Sequence, residues 1–164
     1  MAKPVVEYSA ILETLCRHGV DFIVVDGVCA VLHGAPLATF DLDVVHSREP
    51  HNLARLMTAL EELDAHYRIS GRRDKKPGPS RLASAGRQLL MTRFGPLDLV
   101  GTIGKGHDYG QLLDDTVGLE IGAGPKVRVL SLEGLVRTKE ETSQEKDKAV
   151  LPMLRRVLEE RLKS

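Results

Sequence analysis

The sequence contains no tryptophan, and aromatic residues make up only 4% of its 164 positions. So few flat side chains disfavour a module that grips single-stranded nucleic acid by stacking bases. There are two cysteines, Cys16 and Cys29, both in segments that read as apolar helix faces. A disulfide-framed secreted scaffold of this length needs more of them, and a reducing cytoplasm is the expected compartment. No apolar run approaches the roughly 18 to 20 residues of a membrane-spanning helix, so no membrane partner is expected. The opening Met1-Ala2-Lys3-Pro4 leads into no signal-peptide core. Gly-x-Ser-x-Gly and Walker motifs are missing, and His33, His46 and His107 have no zinc-ligand spacing, so hydrolase, P-loop and zinc readings have no support.

Net charge is missing too, because 23 Lys and Arg balance 23 Asp and Glu. That balance hides a segregation. Residues 1–64 carry 10 acids and 4 bases, residues 68–93 carry 1 acid and 8 bases, and the remainder is close to even. With 42% hydrophobic residues the chain can build one ordinary core. A single domain over 1–164 is expected, with a core over about 5–130 and a C-terminal helical element over about 131–164.

Apolar spacing predicts a helix over 5–18, closed by His18-Gly19, and a buried strand over Phe22–Val25. The Asp26-Gly27 turn precedes a short helix over Val28–His33, then an alternating strand over Phe40–Val45 and a helix over 50–64 opened by Pro50. A strand is expected at 66–70 and a loop over Gly71–Gly86, where Arg, Lys, Pro, Gly and Ser concentrate. Gln88–Thr92 and Leu97–Val100 flank a turn and read as a hairpin. A short helix at 108–115, strands at Val117–Ile121 and Val127–Leu130, and helices at 131–142 and 145–162 complete the chain. Ser131 is the expected N-cap of the first of these helices.

Asp41 and Asp43 stand two apart on a strand, so both project from one face while Leu42 and Val44 face the other way. Such carboxylates lie about 7 Å apart and repel unless a cation sits between them. Asp98 is a third acid embedded in a short apolar strand. Hard oxygen donors in this arrangement suit Mg²⁺ together with substrate phosphates.

The stretch VDFIVVDGVCAVLHGAPLATFDLDVV, Val20 to Val45, resembles the signature of the polymerase-β-like nucleotidyltransferase superfamily, in the small bacterial branch with the AbiEii-type toxins. Thr39, Asp41, Asp43 and Asp98 match its Thr-x-Asp-hydrophobic-Asp strand and later Asp. VRVLSLEGLVRTKEETSQEKDKAVLPML, from Val127, is similar to the family's downstream helix pair, with Lys139, Lys146 and Asp147 in its polar positions. The resemblance implies an α/β (α+β) nucleotidyltransferase fold: a short mixed sheet flanked by helices. It also implies transfer of a nucleoside monophosphate from a nucleoside triphosphate, such as ATP, to an acceptor hydroxyl or phosphate.

Two Mg²⁺ ions, with Mn²⁺ as an alternative, are then expected on Asp41, Asp43 and Asp98, with Asp98 the general-base candidate. Gly27, Thr39 and Lys139 are the expected nucleotide contacts. Arg72, Arg73, Lys75 and Lys76 belong to a basic stretch with Arg68, Arg81, Arg87 and Arg93, and are candidate contacts to a polyanion such as an RNA acceptor. An RNA acceptor and a protein antitoxin are the partners of a toxin-like enzyme. The alternatives are an antibiotic adenylyltransferase and a degenerate domain that binds nucleotide or a partner without transfer. One position departs from the pattern: Asp26 replaces the family's first glycine, and its expected role is to cap the helix that follows or to turn away from phosphate.

Overall fold

The computed structural model describes residues 7–39, 41–69, 75–142 and 144–163. In chain order it forms α1 (Tyr8–Arg17), β1 (Phe22–Val25), α2 (Asp26–Leu32), β2 (Leu42–His46), α3 (Pro50–Glu62), β3 (His66–Tyr67) and α4 (Pro79–Leu82). Then come β4 (Arg87–Thr92), β5 (Gly95–Val100), α5 (Tyr109–Leu112) with a 3-10 turn at Leu113–Asp115, β6 (Thr116–Glu120), β7 (Lys126–Leu130), α6 (Leu132–Glu140) and α7 (Glu145–Lys163). The strands make one mixed seven-stranded sheet in the order β3-β4-β5-β2-β1-β7-β6.

Local chemistry accounts for most of these boundaries. The β-branched run of β1 is buried along its whole length, as suits a central strand. Ser131 caps α6 by accepting the Gly134 N–H at 3.0 Å. Pro152 lies inside α7, and the helix continues through it with Leu151 and Leu154 buried on either side. The expected loop over Gly71–Gly86 is corrected in its second half. Pro79–Leu82 forms a helical turn whose Leu82 is fully buried, and the Leu82 carbonyl accepts a hydrogen bond from His46 Nε2 at 2.7 Å. Leu82 and this hydrogen bond pin a polar, Pro- and Gly-rich stretch that has no helical period to reveal it. The strand expected at 66–70 shortens to His66–Tyr67, and Phe40, at the start of the next expected strand, lies outside the described residues.

Register decides what faces the cleft. β2 runs antiparallel to β1 and parallel to β5, which sets Asp43 opposite Val25 on one side and opposite Asp98 on the other. Residues in register project from the same face, so the two acids stand side by side. β4 brings Leu89 opposite Asp98, and strand alternation puts Arg87, two residues earlier, on the same face. Leu42, Val44, Leu97 and Leu99 alternate to the other face and are fully buried. On the acidic side α2 packs against β1, β2 and α6, and α6 against α7. That packing carries Lys139 and Asp147 toward the acids.

Candidate active site

Asp43 and Asp98 are only 6% and 3% exposed, a rare state for carboxylates. Burial pushes the Asp43 carboxyl up to about 8, and the negative charges of Asp26 and Asp98 push the same way against the offsetting charge of Arg87. The Asp43–Asp98 pair therefore holds a proton more readily than a lone carboxylate, and a hydrogen bond between the two favours that state. Asp41 sits just before β2 at the rim, its side chain 46% exposed. Two of the three expected acids are thus brought into contact, and the third stands one strand step outward.

Two arginines hold the buried pair. Arg87 Nη1 donates to Asp43 Oδ1 at 3.0 Å and to Asp98 Oδ2 at 3.4 Å. Arg68 Nη1 approaches Asp98 Oδ1 to 2.6 Å while donating to the Leu90 carbonyl, and Arg68 Nη2 lies 3.8 Å from Asp41. Among the described residues none meets Asp98 Oδ1 with hydrogen-bond geometry, so its contact with Arg68 is an ion pair. The expectation of one basic patch is accordingly revised. Arg68 and Arg87 turn inward to the acids, and Arg81 lies over the Tyr67 ring at 5.5 Å. Lys75 and Lys76 are exposed and border no part of the cleft, while Arg72 and Arg73 lie outside the described residues. The signal for Arg87 was available: hairpin register alone puts it on the face of Asp98.

Lys139 extends from α6 to bridge Asp26 Oδ1 at 2.6 Å and Asp147 Oδ1 at 2.8 Å. Burial opposes its charge, but the Asp26 charge and the hydrogen bonds to both acids outweigh burial and hold its pKa above the ordinary lysine value. Asp147 also accepts the Thr142 hydroxyl at 2.6 Å. Burial would raise its carboxyl, yet the bonds from Lys139 and Thr142 bring it below the ordinary range. Asp26 has φ +58°, in the left-handed region that glycine prefers and Asp tolerates better than most residues. It is the first residue of α2, whose N-cap is Val25. It faces Lys139 and stands 3.7 Å from Arg87.

These groups line a cleft of about 550 Å³ together with an apolar wall that includes Leu37, Leu89, Val150 and Leu154. A second lobe of about 250 Å³ shares Asp26, Arg87, Lys139 and Lys146 with it. Gly27 is fixed by close approach: a Cβ there would meet Thr39 Oγ1 at 2.5 Å. Thr39 Oγ1 itself donates to the Asp41 carbonyl at 3.3 Å, tying the segment before β2 to the turn after β1.

The donor set suits a hard divalent cation. Asp43 and Asp98 offer paired carboxylates, and the buried Asp98 Oδ1, ion-paired to Arg68, takes no hydrogen bond from the described residues. As the side chains stand, no three His, Cys, Asp or Glu among the described residues converge on a metal position. Arg68 and Arg87 supply the positive charge there instead.

The fold is similar to that of several solved nucleotidyltransferase structures. The lincosamide antibiotic adenylyltransferase LnuA, in its lincomycin-bound structure, aligns with TM-score 0.61 over 94% of this chain and 99% of its own, at 15% identity. A Thermotoga maritima protein assigned to the nucleotidyltransferases aligns with TM-score 0.57 over 93% and 91%, at 18% identity. ANT(2'')-Ia in complex with adenylyl-2''-tobramycin aligns with TM-score 0.54 over 90% and 85%, at 13% identity. No protein-family model matches the chain, and no curated protein matches it. Among the described residues no helix is long and apolar enough to cross a membrane.

Proposed function

We propose that this protein transfers a nucleoside monophosphate from a nucleoside triphosphate to an acceptor hydroxyl or phosphate, with pyrophosphate leaving. The observation that carries this reading is the in-register pair Asp43 and Asp98, buried on parallel strands and facing a cleft whose opposite wall carries Lys139 and Lys146. Asp43 and Asp98, joined by Asp41 at the rim, would hold Mg²⁺ or Mn²⁺. Bound there, the ion supplies charge neutralisation of the phosphates and a lowered pKa for the attacking hydroxyl. Asp98 is the general base for the acceptor's proton, its carboxylate held by Arg68 and Arg87 until ion and substrate enter. Lys146 is exposed on the lip of both lobes and attracts phosphate oxygens. Gly27 and Thr39 shape the floor of the cleft beside them. Leu37, Leu89, Val150 and Leu154 exclude water from one side, where a ring system would lie.

A small hydroxylated acceptor suits this cleft better than a polymer. Its volume is that of a pocket for a small ligand, about 300 to 1,000 Å³, and Lys75 and Lys76 offer it no basic track. Two of the fold neighbours, LnuA with lincomycin and ANT(2'')-Ia with adenylyl-2''-tobramycin, carry an antibiotic or its adenylyl derivative. An RNA acceptor and an antitoxin partner belong to the toxin-like reading, for which the charge of residues 68–93 is the supporting feature. Incubation with Mg²⁺ and each labelled nucleoside triphosphate tests both. Total tRNA and a panel of aminoglycosides and lincosamides serve as acceptors, with Asp43→Ala as the control. Label on a drug supports the small-molecule reading and label on RNA the toxin-like one. Nucleotide binding with no transfer to any acceptor overturns the proposal in favour of a non-transferring domain.

A further inference from the structure

Asp26 is the residue of this cleft that the chemistry of transfer leaves without a task. It adopts a left-handed conformation that costs a side-chain-bearing residue energy, in a turn a glycine would form freely. Locally its charge is favoured by its place in the first turn of α2, whose N-cap is Val25. Its partners come from distant segments: Lys139 on α6 at 2.6 Å and Arg87 on β4 at 3.7 Å. Both cations line the two lobes of the cleft, and Asp26 stands where the lobes meet. Lys139 is doubly neutralised, since Asp147 holds its other side and is itself fixed by Thr142. Without Asp26, Lys139 would keep one counter-ion and present donors to the cavity.

We infer that Asp26 is a built-in occupant of the phosphate position: its carboxylate engages Lys139 and Arg87, and a phosphate chain enters only by displacing it. An oxyanion of the chain itself then sets how strong an incoming polyphosphate must be. Singly charged or uncharged ligands cannot compete with an intramolecular carboxylate at an effective concentration in the millimolar range or above. A multiply charged phosphate chain can, because it reaches Lys139, Arg87 and Lys146 together. The inference rests on the nucleotidyltransferase reading only for the identity of the ligand.

The test is calorimetric titration of inorganic tripolyphosphate, with and without Mg²⁺, into the full chain and its Asp26→Asn and Asp26→Gly variants. Both replacements suit a positive φ, so the turn is kept. Each variant should bind tripolyphosphate roughly tenfold to a hundredfold more tightly, the range expected for a charge-assisted hydrogen bond that no longer has to be broken. Adenosine, which has no phosphate, should bind the three proteins alike. Unchanged or weaker tripolyphosphate affinity in both variants overturns the inference. Unfolding of both, read by circular dichroism, also overturns it, because Asp26 would then be a brace between the turn and α6. Label transfer is assayed separately. Tighter binding with no transfer to any acceptor would leave this inference standing and remove the proposed reaction, and transfer without tighter binding would do the reverse.

Discussion

Replacing Asp43 with asparagine should change how stability responds to pH. Folding raises the Asp43 carboxyl from the ordinary value near 4 to about 8, so between those limits the native chain binds a proton that the unfolded chain has released. Stability therefore falls as pH rises across that window, by up to about 1.4 kcal/mol per pH unit for one proton. Asparagine has no proton to take up, yet it keeps the shape of the protonated acid and can still donate to Asp98. Over pH 5 to 7 the variant should gain about 2 kcal/mol relative to the parent, allowing for the share of the proton held by neighbouring Asp98. For a chain of this size that is a relative rise in Tm of about 4 to 8 °C. Thermal melts in EDTA at several pH values read it directly. Adding Mg²⁺ should restore the parent at pH 7 and leave the variant nearly unmoved. Parallel pH curves for the two proteins would refute both the buried, proton-holding Asp43 and the charge crowding behind it.

Other substitutions probe other parts of the site. Arg87→Met removes the cation shared by Asp43, Asp98 and Asp26. It should cost about 1 to 3 kcal/mol in EDTA, less than a fully buried pair because the arginine is partly exposed, and Mg²⁺ should recover most of that loss in the same melts. Gly27→Ala forces a methyl group against Thr39 and should destabilise by about 1 to 3 kcal/mol in denaturant titration. Thr39→Gly in the same chain should relieve it. Asp147→Asn should flatten the acid limb of the stability curve: its lowered pKa contributes stability present above about pH 4 and lost as pH falls through the folded value.

Most of the sheet was legible because its strands carry their own signals. The β-branched run at Phe22–Val25, the alternation around Asp41 and Asp43, and the turn Arg93-Phe94-Gly95-Pro96 each mark a strand without help from distant residues. The pairing of Asp43 with Asp98 was legible only as a resemblance, because nothing local says that β2 and β5 are neighbours. What escaped reading is charge with two uses. Arg68 and Arg87 lie in a stretch that looks like a solvated basic loop, and only the hairpin register turns Arg87 onto the acidic face. Asp26 looked like a helix cap, since Asp before a helix commonly is one. Its φ of +58° and its reach across to α6 are properties of the packed fold. The helix at Pro79–Leu82 hangs on buried Leu82 and its carbonyl's bond to His46, which periodicity cannot register in four residues.

The reaction itself is tested most directly by following two labels. A nucleoside triphosphate is supplied in parallel reactions labelled at the α- or the γ-phosphorus, with Mg²⁺ and the acceptor panel, for the parent chain and Asp98→Asn. Nucleotidyl transfer requires the α label on the acceptor and the γ label in pyrophosphate, with both outcomes lost in Asp98→Asn. A γ label on the acceptor, or transfer that survives Asp98→Asn undiminished, would contradict it.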